Sequence, residues 1–181
     1  PRSTASSWTA SGDEPSDGAV VIDWNPLSFA SARAAVIEAE TALGGRLDEL
    51  VIFADPPADA AGIAEQTPAS IERAAMEWAA GYAELVREAA KRLGERGGGT
   101  IALIVAQAER GPIGSMAAGA LLGLAEGLAL AAPGAVRFIG ARDESDQADL
   151  LARQAVKSLD EAPREPRRLL RLGGRGSLLG R

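Results

Sequence analysis

Residues 97–106 read GGGTIALIVA: three glycines, then an aliphatic run with no polar side chain after Thr100. A strand with one wet face alternates polar and apolar residues. A run apolar at every position belongs to a strand covered on both faces, as in a parallel sheet flanked by helices. Thr100–Val105 is therefore read as a strand at the heart of the molecule. Upstream, residues 47–54 (LDELVIFA) supply a second such strand over Glu49–Ala54, broken by Asp55-Pro56-Pro57. Ala19–Asp23 (AVVID), Val136–Ile139 and Leu169–Leu172 are shorter runs of the same kind. Helical spacing fills the gaps. One helix runs over Phe29–Leu43 and stops at Gly44-Gly45; another runs from a cap at Ser70 to about Gly94. After a turn at Gly111–Gly114, a third covers Ser115–Ala131 and ends at Pro133-Gly134, and a charged one covers Ser145–Leu159. Strands alternating with helices predict an α/β domain with a parallel sheet of about five strands flanked by helices. The expected organisation is a flexible Ser/Pro/Asp/Gly leader (1–18), one domain (19–174) and a Gly/Arg tail (175–181).

Composition excludes several classes of chemistry. The chain has 181 residues with neither Cys nor His, which rules out disulfides, thiolate nucleophiles, Ser–His relays and imidazole metal ligands. No metal site is expected. The formal net charge of −6 disfavours nucleic acid and anionic membranes. Arg164–Arg181 holds six arginines against one glutamate, a basic end read as a solvated surface or subunit contact. No apolar run looks long enough to span a bilayer, and no secretory signal opens the chain, so a cytoplasmic location is expected.

Several of these segments, taken in order, resemble the short-chain dehydrogenase/reductase family. DWNPLSFASARAAVIEAETALG, from Asp23, is similar to DVTDxxSVxxAVxxAxxxLG. LDELVIFA resembles the strand LDxLVNNAG, and GGGTIALIVA the strand that usually ends in two serines. IERAAMEWAAG (71–81) parallels WDRVLAVNLTG; SMAAGALLGL (115–124) is similar to the active-site helix YxASKAALxGL; RLGG (171–174) resembles the closing VDGG. The resemblance covers about Val20 to Gly174 and implies a Rossmann-like fold truncated in its N-terminal half.

The resemblance also identifies what is missing. At the positions of the family's catalytic Asn, Ser, Tyr and Lys stand Trp78, Ala106, Ser115 and Gly119. In the family the Tyr donates a proton, the Lys lowers its pKa and holds the ribose, the Ser orients the carbonyl and the Asn holds a relay water. A serine hydroxyl with no cation beside it is a poor acid at neutral pH, and Ala106 and Gly119 offer no polar group. The family's TGxxxGIG turn, whose amides and following helix hold pyrophosphate, should precede Val20, where only the polar leader stands. Gly174-Arg175-Gly176 follows a strand but leaves no room for a helix, and Asp55 would repel a phosphate. No cofactor is expected, and the chain is read as not an enzyme.

Other candidates each have a plainer reading. Asp55 and Asp59 are a solvated loop before they are a carboxylate pair. Glu109-Arg110, after a strand end, is a surface pair before it is an anion site. Trp8 in the leader either anchors to a partner or folds back. The helices over Ser70–Gly94 and Ser115–Ala131 carry small residues on several faces, which permit close helix approach. The possible interface is Ala79, Tyr82, Val86, Met116, Ala120, Gly123 and Gly127, since the family pairs subunits through the equivalent helices. The resemblance thus implies a non-catalytic, pseudo-enzyme subunit that stabilises or regulates a full-length dehydrogenase, as in two-subunit members of the family. The alternative is a homo-oligomeric scaffold or small-ligand-binding module. Losing the first βα units would open one apolar face of the sheet, which a partner, the leader or a repacked helix must cover. The first strand is expected to pair beside Glu49–Ala54.

Overall fold

The computed structural model describes residues 22–58, 61–106, 111–130, 134–144 and 169–172. The expected leader with Trp8, the residues Asp59, Glu109 and Arg110, the helix over Ser145–Leu159 and the Gly/Arg tail lie outside the described residues.

Helix α1 spans Phe29–Ala42, with Ser28 as N-cap accepting from the Ser31 amide at 3.3 Å. Gly44 and Gly45 end it with φ of 75° and 88°, and the Gly45 amide donates to Glu40 O at 2.8 Å. Strand β1, Glu49–Ala54, follows. A single long rod comes next: α2 (Pro68–Ala74), a π-helical segment over Ala75–Gly81, and α3 (Tyr82–Glu95). Then come β2 (Gly99–Ala106), α4 (Pro112–Leu130), β3 (Val136–Asp143) and β4 (Leu170–Leu172).

The described strands form a four-stranded parallel sheet in the order β1-β2-β3-β4. This is the α/β, Rossmann-like architecture expected. The expected first strand falls mostly outside the described residues: Ala19–Val21 are not described, and Ile22 and Asp23 lie outside any strand. Two helix starts also differ from expectation. Thr67, not Ser70, caps α2, because Pro68 suits the first helical position and Thr67 and Ser70 exchange side-chain-to-amide hydrogen bonds at 3.1 Å each. Gly111–Gly114 is not a free turn; Pro112 opens α4 three residues early.

Along each strand, alternate residues face opposite sides. Ile52 and Ala54 of β1, and Ile101, Leu103 and Val105 of β2, pack with Val86, Ala89 and Leu93 of α3 and Ala118, Leu121 and Ala125 of α4. Gly140 of β3 is what lets α4 lie so close, since a Cβ there would sit 2.7 Å from the Ala125 carbonyl oxygen. The second face, which the truncation requires a partner, the leader or a repacked helix to cover, is covered at the centre within the single chain. Ala102, Ile104, Ile139 and Ala141 are all buried there, at 1–3% exposure, whereas Val51 on β1 is 46% exposed.

The expectation that no run is long enough to cross a membrane also fails by length and composition. Helix α4 has 19 residues with one charge, Glu126. In this structure it packs on β2 and β3, as a helix of an α/β layer does.

Candidate functional site

In an open parallel sheet, ligands meet the carboxyl ends of the strands. Helix α4 begins there, after β2, and packs against the π-helical segment. All four positions singled out by the resemblance belong to these elements. Ala106 is the last residue of β2 and is buried. Ser115 and Gly119 lie four residues apart on one exposed side of α4, and a Cβ added at Gly119 would meet nothing within 4 Å. Trp78 sits inside the π-helical segment, partly buried.

Trp78 is held by aromatic packing. Its ring stacks on Tyr82 with centroids 5.4 Å apart and planes 14° from parallel, and Trp24 meets the same Tyr82 edge-on at 5.4 Å and 81°. These are the offset and T-shaped geometries that ring quadrupoles favour. The backbone before α1 reaches this stack because Gly81 has no side chain: a Cβ there would collide with the Pro26 carbonyl. A π-helical turn, costly in hydrogen-bond geometry, is often found where a functional side chain is positioned. Sequence reading caught Trp78 but missed the three-ring stack; the pair at i, i+4 was the available signal.

Of the expected interface residues, Tyr82 and Val86 do not face outward. They are 5% and 3% exposed and belong to the core beneath α1 and α4, because their side of α3 faces the sheet layer. Ala79 is half-buried, while Met116, Ala120, Gly123 and Gly127 are exposed on α4.

Charge at the strand ends is mixed. Asp55 is exposed after β1, buried Asp143 closes β3, and Glu144 pairs with Arg142 and lies 4.0 Å from Arg171, while its amide donates to Leu172 O at 2.8 Å. The described glycines with positive φ are Gly44, Gly45, Gly97 and Gly98, all at the amino ends of β1 and β2. Among the described residues, then, no glycine turn with positive φ stands at the carboxyl ends, where a dinucleotide's pyrophosphate is held in this fold. Among the described residues no group of acidic side chains is placed to hold a metal. A cleft of ≈ 470 Å³ lined by Arg46, Asp48 and Arg96 lies at the opposite, amino end of the strands.

The sequence also did not announce a buried ionic cluster. Glu40 of α1, 6% exposed, accepts from Arg92 Nη1 at 2.6 Å and lies 2.6 Å from Arg96 Nη2. Arg96 also donates to the Gly45 carbonyl. On α3, the partly buried Glu84 carboxyl is held below its ordinary range by the hydrogen bond from Arg87, against a smaller opposing effect of desolvation.

No protein-family model matches this sequence, and no curated protein matches it. Solved structures do. A short-chain dehydrogenase from Streptomyces avermitilis superposes with a TM-score of 0.63 at 19% identity, covering 84% of this chain and 70% of that one. The 3-ketoacyl-(acyl-carrier-protein) reductase from Brucella melitensis, solved with NADH, gives 0.69 at 16% identity, covering 85% and 76%. The L-sorbose reductase from Gluconobacter frateurii, with NADPH and L-sorbose, gives 0.59 at 17% identity, covering 78% and 56%. These neighbours overturn the expectation that the chain is not an enzyme. Each is a dehydrogenase or reductase, so the substitutions at four positions do not by themselves make the chain a non-enzyme. The fold of this chain is that of the short-chain dehydrogenases/reductases.

Proposed function

We propose that the chain is a subunit of a short-chain dehydrogenase/reductase-type oxidoreductase that pairs through α4 with a full-length subunit of the same fold, stabilising or regulating it. The observation that supports this is the outer side of α4. Met116 is 39% and Leu130 62% exposed, and Gly119, Ala120, Gly123 and Gly127 between them are exposed as well. A Cβ at any of the three glycines would meet nothing within 4 Å. Such a surface admits another helix at close range. A cytoplasmic setting belongs to the same reading.

The test is co-purification of the native protein from its source cells with native mass spectrometry of the intact complex. A full-length dehydrogenase at a fixed ratio is expected, with NAD(P)H turnover by the complex that differs from that of the partner alone. Recovery of this chain as a lone monomer, or unchanged partner kinetics, would sink the proposal. A second reading, a homo-oligomer, is favoured by one observation: large and small residues on α4 are arranged symmetrically about Gly123.

A further inference from the structure

We propose that residues 22–44, comprising the segment before α1 and α1 itself, form a detachable strap across α3, held by a glycine notch at one end and an ionic clasp at the other. Helix α1 packs against α3 along one stripe, and the residues it buries are Ala32, Val36 and Glu40, at i, i+4 and i+8. The large members of the same stripe hang free at its ends: Phe29 is 49% exposed and Leu43 63%. The fully buried apolar residues of α1 are therefore one alanine and one valine, with Trp24 packed on the core ahead of the helix, against the continuous apolar burial of β2.

Charge closes the distal end. Glu40 Oε2 accepts a hydrogen bond from Arg92, and Oε1 lies 2.6 Å from Arg96 Nη2 as a charge contact without hydrogen-bond geometry; Arg92 Nε is likewise buried without a hydrogen-bond partner. A buried ion pair returns little net stability when intact, because desolvation offsets attraction. It is strongly destabilising when one partner is removed. Such a contact holds or fails as a unit. The guanidinium groups are 24% and 43% exposed, so salt reaches the clasp. At the proximal end Pro26 lies in the notch at Gly81 and Trp24 rests on Tyr82. Release of the strap uncovers Tyr82 and its stack with Trp78, so strap opening gates the aromatic end of the site. Local openings of this kind occur below the global unfolding free energy wherever a segment has few apolar contacts.

Hydrogen exchange read by mass spectrometry on the full chain tests this. Peptides from 29–42 should exchange at least about tenfold faster than those from 99–106, and faster still at high salt, with 99–106 unmoved by salt. Glu40→Gln should accelerate α1 alone by about a hundredfold. Replacing the whole cluster, Glu40→Leu with Arg92→Leu and Arg96→Leu, should keep α1 docked while abolishing its salt response. Exchange of α1 in step with β2, equal acceleration of both in Glu40→Gln, or a salt response surviving in the triple variant would each overturn the strap. Should Glu40→Gln fail to fold, Arg96→Gln removes half the clasp, and the same selective acceleration of α1 decides.

Discussion

At the scale of single residues, the glycines separate two opposite consequences of one substitution. Gly81→Ala drives a methyl into the Pro26 carbonyl, and backbone on both sides leaves little room to yield. We expect it to cost about 1–3 kcal/mol, the usual penalty of overpacking, and to red-shift tryptophan emission as Trp24 leaves Tyr82. Gly119→Ala adds a methyl to open space on an exposed helical face. It should stabilise by about 1 kcal/mol through helix propensity alone, read from a urea midpoint with unchanged slope. Glu84 gives a prediction with a sign in pH. Its folded pKa lies below the ordinary 4.5, so its contribution is present above that value and fades as pH falls through the lower folded value. Because Arg87 is well exposed and Glu84 only partly buried, Glu84→Gln should remove only a small, salt-sensitive increment of stability confined to neutral and weakly acidic pH, visible as a narrowed difference between wild type and variant in acid. The sequence named Trp78, Ala106, Ser115 and Gly119 as a site by their order along the chain. It had no means of naming Trp24 or Pro26 as neighbours of Tyr82 and Gly81, because those contacts join segments over fifty residues apart and depend on how α1 leans on α3.

At the scale of elements, the strands were legible because burial on both faces leaves a continuous apolar run, as in β2. Helix ends were less so. Ser70 was chosen as a cap from its residue type, but a cap is a geometric role, and Thr67 takes it because Pro68 cannot donate and belongs just inside the helix. Thr67→Ala should therefore cost about 1 kcal/mol, whereas Ser70 at the third position returns only the reciprocal bond. The α4–β3 contact has its own test. The 2.7 Å that would separate a Cβ at Gly140 from the Ala125 oxygen means Gly140→Val must lift α4 from the sheet. A loss of about 3 kcal/mol or more is expected, with α4 and β3 losing exchange protection together. The π-helical segment had no signature in the apolar period, since seven residues of slightly widened helix barely shift a stripe that tertiary packing then completes.

At the scale of the whole molecule, truncation leaves a sheet face that a partner, the leader or a repacked helix must cover, and burial of Ala102, Ile104, Ile139 and Ala141 within one chain means that no partner is needed there. What remains for association is α4. Around Gly123, Gly119 and Gly127 stand four residues to either side, and Met116 and Leu130 seven. At 1.5 Å per residue these are offsets of about 6 Å and about 10.5 Å. A two-fold axis crossing at Gly123 would set each exposed Met116 against the partner's Leu130 and leave glycines at the closest approach, the self-complementarity an isologous contact requires. A same-fold partner with its own equivalent helix meets the same geometry. Gly123→Trp fills the crossing point from an exposed position where a Cβ meets nothing within 4 Å, so it should leave the thermal midpoint unchanged or slightly raised while weakening association at least tenfold by analytical ultracentrifugation. Val51→Lys, on the exposed part of β1, serves as the control and should leave association unchanged. If Val51→Lys disrupts the complex and Gly123→Trp does not, the contact runs through the sheet edge, and α4 is only the apolar inner layer of an α/β domain.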